Sequence, residues 1–189
     1  VPVHVENDVN AAAVGATEFV EHVDGNATVV FLNFGTGLAA GLVRDGQAEH
    51  GYSGCIGEIG HLPVDPNGFA CPCGQRGCLE TVASGGAVAK LWPSANPPMP
   101  DLIRKARQGD EHANDVLGKV AHGMGDVIQI VAQAYDPQRI IIGGGMAKTG
   151  NDLIEIIQAE LSRRAEGCRF LNTLDIASKI RIAAVDNTI

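Results

Sequence analysis

Apolar positions along this chain fall into two patterns, unbroken short runs and helically spaced positions, and the two alternate. Residues 27–33 and 38–43 are nearly continuous apolar runs bounded by turn residues, as expected of strands buried on both faces. Residues 139–142 and 180–185 read the same way, and the apolar alternation of residues 1–5 predicts one more strand. Val116, Leu117, Val120, Met124, Val127, Ile128 and Val131 recur at helical spacing, so a long helix is predicted from Asp110 to the stop at Tyr135-Asp136-Pro137. Further helices are predicted from 11 to about 20 with Asn7 or Asp8 as N-cap, from 80 to about 92, over 101–108, and over about 151–165. Asp24-Gly25-Asn26 and Arg44-Asp45-Gly46 read as turns, and residues 96–100, rich in proline, as a surface loop. Strands alternating with helices give an α/β class.

Composition narrows this picture. A chain of 189 residues, 45% of them apolar, can build one domain with a sizeable core. Its 24 glycines predict tight turns and close approaches of backbone to ligand. A formal charge of −8, with no basic run, argues against these residues gripping nucleic acid, since phosphate neutralisation needs clustered Lys and Arg. No secretory signal or transmembrane run is visible, so no membrane contact and a cytoplasmic location are expected.

The most specific chemistry lies between His61 and Glu80. His61, Cys71, Cys73 and Cys78 fall within eighteen residues, separated by Pro and Gly turns that let the backbone fold around a point. That donor set predicts a closed, structural Cys₃His zinc site. The rival reading is a disulfide or buried thiols, but five cysteines leave pairing incomplete and nothing points to an oxidising compartment. Cys55 and Cys168 are expected to be small buried apolar residues. The loop-rich region around the metal is expected to span about 47–85, flanked by the carboxylates of Glu58 and Glu80. Both could accept hydrogen bonds from sugar hydroxyls; their bland reading is solvated surface acids.

Gly35-Thr36-Gly37 joins two apolar runs, where backbone N–H groups could cradle an anion or simply turn a hairpin. Gly143-Gly144-Gly145 follows a strand and precedes a helix, a frequent nucleotide position and equally a plain turn. Asp8 could take a proton from an attacking hydroxyl, or it could cap a helix.

Taken in order, Glu6-Asn7-Asp8-x-Asn10, Gly35-Thr36-Gly37, Gly57-Glu58-Ile59-Gly60-His61, the cysteine loop ending Leu79-Glu80, and Ile142-Gly143-Gly144-Gly145 resemble the ROK family of repressors and sugar kinases, within the actin-like ATPase and hexokinase superfamily. The resemblance covers nearly the whole chain. It implies an actin-like ATPase (ribonuclease H-like) large lobe with an inserted zinc loop. It further implies that Asp8 is the catalytic base, that Asn7, Glu58, His61 and Glu80 bind sugar, and that His61 also serves the zinc. Gly35, Thr36 and Gly37 would hold phosphate, and Gly144 and Gly145 the adenosine side of ATP with magnesium. The sugar set is expected to lie apart from these glycine turns.

The family's Asp-x-Gly-Gly-Thr turn and final Gly-Ala-rich helix do not occur in the sequence. Residues 1–189 are therefore expected to be a C-terminal lobe, inactive alone, with a homodimer expected for the whole protein. Alanines at Ala39 and Ala40 stand where many relatives carry glycine. The function implied is ATP-dependent phosphorylation of a hexose or N-acetylhexosamine. The alternatives are the sugar-sensing lobe of a transcriptional repressor and an inactive sugar-binding scaffold.

Overall fold

The computed structural model describes residues 3, 5–18, 24 and 27–183. After α1 (Asp8–Thr17), the chain forms a meander of β1 (Thr28–Phe34), β2 (Leu38–Arg44) and β3 (Gln47–Ala48). A long excursion with a single 3-10 turn, Ile59–His61, leads to α2 (Glu80–Ala83), α3 (Gly85–Leu91), α4 (Pro98–Arg107) and α5 (Glu111–Tyr135). The chain closes with β4 (Arg139–Gly143), a 3-10 turn at Gly145–Thr149, α6 (Asn151–Ala165), α7 (Arg169–Leu174), α8 (Ile176–Lys179) and β5 (Ile180–Ile182).

The five strands make one mixed sheet in the order β3-β2-β1-β4-β5. Strands β1 to β3 pair antiparallel, whereas β4 lies parallel to both β1 and β5. Both faces of the central strands are covered, which is why they read as unbroken apolar runs. Val30, Leu32 and Phe34 of β1, with Ile140 and Ile142 of β4, join a large core built on α5. Val29, Phe31 and Ile141 point the other way, onto Val9, Ala13 and Ala16 of α1. Burial of each such aliphatic side chain contributes about 1.5–3 kcal/mol. Arg164 fastens α6 to α5, donating to Asp126 at 2.7 Å and to the His122 carbonyl at 2.7 Å.

Gly41 decides where α1 sits. A Cβ there would lie 2.5 Å from Ala13 Cβ and 2.9 Å from the Val9 carbonyl oxygen, so α1 rests on β2 through the missing side chain. That contact fixes the N-terminus of α1, which carries Asp8.

Several predicted boundaries move. The strand predicted over 1–5 falls partly outside the described residues; Val3 and Val5 are in no strand and are 81% and 94% exposed. The predicted ends of the first helix (19–20) and of the last strand (184–185), and the turn at Gly25-Asn26, also lie outside the described residues. The helix predicted from 80 to 92 is two helices, broken at Ser84. The proline loop is largely the first turn of α4, because Pro98 and Pro100 sit where a helix needs no N–H donors. Cys55 is exposed rather than buried, lying in the excursion after β3 where no element covers it, and Cys168 is only partly buried. No helix among the described residues is long and apolar enough to cross a membrane.

Candidate active site

The four predicted metal donors meet. Their ligand atoms all lie within 4.8 Å of one another, with Cys71 Sγ 3.7 Å from His61 Nδ1 and Cys73 Sγ 3.7 Å from Cys78 Sγ. Bonds of about 2.3 Å to a tetrahedral ion would set sulfurs about 3.8 Å apart, whereas a disulfide needs about 2.0 Å. All five cysteines are free. Hydrogen bonds lace the loop: Gly77 N–H donates to the Phe69 carbonyl at 2.8 Å, and Gln75 Nε2 to the His61 carbonyl at 2.9 Å. Hydrogen bonds from Gln75, first from its backbone N–H, draw the Cys73 thiol down to about 6, while burial pushes Cys78 up to about 12. One thiolate is thus ready, and the second is disfavoured beside its neighbours unless a cation sits among them. The donor set and its spacing are compatible with zinc.

The loop delivers its flanking carboxylates to the first half of β2. Ala40 N–H donates to the Gly57 carbonyl at 2.8 Å, so Gly57-Glu58-Ile59-Gly60-His61 runs along the strand edge that β3 leaves open. Gly57 has a φ of 90°, and any Cβ there would run into the Ala40 carbonyl oxygen. The predicted alanine departure at 39–40 therefore sits where this motif docks. On the far side of the loop, Leu79 N–H donates to the Leu62 carbonyl at 3.1 Å, placing Glu80 beside the His61 segment. Glu80 Oε2 then accepts the Leu38 N–H at 3.0 Å. This corrects the expectation that the sugar set lies apart from the glycine turns, since Leu38 directly follows Gly35-Thr36-Gly37. Glu58 is exposed, and His61 and Glu80 are half-buried.

Asn7 and Asp8 divide the work at the start of α1. Asn7 is the N-cap, its Oδ1 accepting from Val9 N–H at 2.9 Å and Asn10 N–H at 3.3 Å. Asp8 is the first helical residue, exposed, accepting only the adjacent Val9 N–H among the described residues. Capping therefore falls to Asn7 and leaves the Asp8 carboxylate facing outward at the positive end of a helix. No hydrogen bond among the described residues joins Asp8 to Glu58, His61 or Glu80.

The two glycine turns meet at the ends of the parallel strands. Gly144, with a φ of 79°, lies against the Asn33 side chain and the Gly35 nitrogen. Beside them opens a cavity of about 440 Å³ lined by Thr36, Gly86, Val88, Met99, Gly145 and Met146. It lies beyond the carboxyl ends of β1 and β4, the position where open α/β sheets bind ligands. Sequence reasoning missed Ser84-Gly85-Gly86 and Met99 as parts of this region. The Ser-Gly-Gly string, an N-cap followed by poor helix formers, was the signal for the first; nothing local marked the second.

The chain is similar to proteins of known function. A glucokinase of Halalkalibacterium halodurans is 34% identical over 192 residues, covering 89% of this chain and 58% of that protein. The crystal structure of a ROK family glucokinase from Streptomyces griseus in complex with glucose and AMPPNP superposes with a TM-score of 0.70 at 32% identity, covering 86% of this chain and 58% of that one. The DNA-binding transcriptional repressor Mlc of Escherichia coli is 29% identical over 177 residues, 87% of this chain and 43% of the repressor. The chain thus spans about three-fifths or less of the length of these relatives. The fold is that of the actin-like ATPases, with a mixed sheet flanked by helices. The family model described as ROK family matches residues 1–179, and this chain belongs to the ROK family.

Proposed function

We propose that the chain is the C-terminal, large lobe of a sugar kinase that transfers the γ-phosphoryl group of ATP to a hydroxyl of a hexose or N-acetylhexosamine. The observation that carries this reading is the junction at Leu38. There a carboxylate suited to sugar hydroxyls shares a strand end with a glycine turn and a cavity suited to a nucleotide. Likeness to a glucokinase holding glucose and AMPPNP supports it.

In this mechanism Glu58, His61 and Glu80 hold the sugar, each taking or giving a hydrogen bond that a misplaced hydroxyl would leave unmade. Asn7 Nδ2 is free to donate to the sugar, because its Oδ1 is committed to the helix cap. Asp8 accepts the proton of the attacking hydroxyl as its oxygen bonds to the γ-phosphorus and the bond to the ADP oxygen breaks. Gly35-Thr36-Gly37 faces the phosphates, and Gly144 and Gly145 border the adenosine side. Magnesium, bound with ATP, would neutralise phosphate charge. Zinc held by His61, Cys71, Cys73 and Cys78 would do no chemistry and would stiffen the loop that carries both glutamates. His61 offers Nδ1 to the metal side, which leaves Nε2 on the opposite edge of the ring for the sugar.

Under this reading part of the phosphate clamp belongs to the N-terminal lobe, so the test uses the full-length protein. Sugar-dependent release of ADP, assayed with glucose, mannose and N-acetylhexosamines, is expected. Sugar binding without any ADP release would favour the second reading, a sugar-sensing lobe of a repressor, which the likeness to Mlc motivates.

A further inference from the structure

Helix α2 is only four residues long, and both of its ends hold the turn between β1 and β2. At its start, Glu80 Oε2 accepts the Leu38 N–H at 3.0 Å and lies 2.9 Å from where a Gly37 Cβ would stand. At its end, Ser84 turns extended, caps α3 by accepting the Ala87 N–H at 3.0 Å, and sends the next two residues onto the turn. Gly85 N–H donates to the Gly35 carbonyl at 2.7 Å and Gly86 N–H to the Thr36 carbonyl at 3.2 Å. A Cβ on Gly86 would run into that same Thr36 oxygen, so only glycine lets the helix come this close. Because a trans peptide points its N–H opposite to its C=O, binding both carbonyls turns the Thr36 and Gly37 N–H groups away from α3. Both N–H groups thus lie on one side of the turn, as successive N–H groups that share an anion do. The clasp at both ends of α2 therefore sets the aim of the turn.

Glu80 has one oxygen on the Leu38 N–H and, among the described residues, no partner for Oε1. We infer that Glu80 bridges the two substrates, accepting a sugar hydroxyl on Oε1 and the Leu38 N–H on Oε2, so that sugar and nucleotide strengthen each other's binding. With only Oε2 engaged, the carboxylate is held at one point; a sugar hydroxyl on Oε1 would hold it at a second, so less ordering of the turn is left for the nucleotide to bring about. Linkage makes the effect reciprocal, with the same factor in both directions. Glu80 and Ser84 are positioning residues for the turn in this scheme. The inference rests on the kinase reading above.

Calorimetry on the full-length protein tests it, with AMPPNP as nucleotide and glucose or N-acetylglucosamine, whichever binds tighter, as sugar. The wild-type Kd for AMPPNP is expected to fall about 5–20-fold in saturating sugar, and the Kd for sugar to fall by the same factor in saturating AMPPNP. Glu80→Gln keeps the volume but offers one acceptor oxygen in place of two, so both ligands should bind with a coupling factor near one. Ser84→Ala, which loosens the other end of the clasp, should weaken AMPPNP several-fold while leaving the Kd for sugar alone unchanged, a split that general destabilisation would not produce. If the wild type binds both ligands independently, or Glu80→Gln keeps the full coupling, the bridge is wrong although the kinase reading stands. If the wild type binds sugar and no nucleotide, the kinase reading fails and takes the bridge with it.

Discussion

His50 Nε2 stands 2.7 Å from Glu6 Oε2, tying together residues 44 positions apart. Glu6 also accepts the Asn7 N–H at 2.8 Å and Asn10 Nδ2 at 3.1 Å through its other oxygen. One carboxylate thus connects the residues around Asp8 to the segment that runs into Gly57-Glu58. Two parts of the candidate site, distant in sequence, share this joint.

The joint predicts a pH dependence. Hydrogen bonding to His50 first, then to Asn10 and Asn7, lowers Glu6 from an ordinary value of 4.5 to about 2. A carboxyl depressed in the folded state contributes stability that is fully present above its unfolded value and lost as pH falls through its folded one. The contribution should therefore fade between about pH 4.5 and pH 2. Thermal melts across that window should show Glu6→Gln with a shallower loss than the wild type. Parallel curves would show that the joint does not hold in solution.

One zinc per chain is expected, on His61, Cys71, Cys73 and Cys78. Cys73→Ser should release the metal, loosen the loop and weaken sugar binding, because ligation contributes directly to local folding. Elemental analysis of protein purified without chelators reads this directly. Absence of metal, or a Cys71–Cys78 disulfide, would end the assignment.

Asp8→Asn should lower phosphoryl transfer by about 10²–10⁴-fold while sugar affinity stays within a few-fold, since the amide keeps the shape but cannot take the hydroxyl proton. Steady-state kinetics beside sugar calorimetry separates the two. Full activity in the variant would place the base elsewhere.

Glu58→Ala and Glu80→Ala should flatten the preference among sugar epimers, each lost hydrogen bond costing about 1–3 kcal/mol. They should differ in one respect. Only Glu80→Ala should also weaken the nucleotide, because only Glu80 holds the Leu38 N–H. Titrating a panel of hexoses and AMPPNP against both variants checks this, and unchanged epimer selectivity in both would move the sugar pocket away from these residues.

Gly41→Ala should destabilise the fold by about 1–3 kcal/mol, as overpacking against Ala13 and the Val9 carbonyl lifts α1 from β2. Because α1 carries Asp8, kcat should fall more than sugar affinity. Urea unfolding and kinetics on the same preparation test both halves, and a neutral substitution would show that α1 adjusts freely.

Local chemistry made much of this legible. The strands β1 and β4 stood out as apolar runs because both of their faces are covered, and α5 and α6 because one face of each is buried at helical spacing. The metal quartet was readable because all four donors lie within eighteen residues, so no distant contact is needed to gather them. Asn7 and Asp8 were marked as a pair, but which of them caps depends on where the chain enters the helix, and the sequence left both open. Tertiary structure alone decided the rest. Ser84-Gly85-Gly86 offered a break within residues 80–92, but only the fold shows what the break serves, the Gly35 and Thr36 carbonyls fifty residues earlier. Gly41 lies within the apolar run 38–43, and its use, to admit α1, appears only in the fold. Glu80 could be identified as a flanking acid, yet its hold on Leu38 appears only when the loop and the strand are folded together. Spacing along a chain fixes which groups can share a local centre, whereas a carboxylate's second partner is fixed by the packing of segments that the sequence keeps far apart.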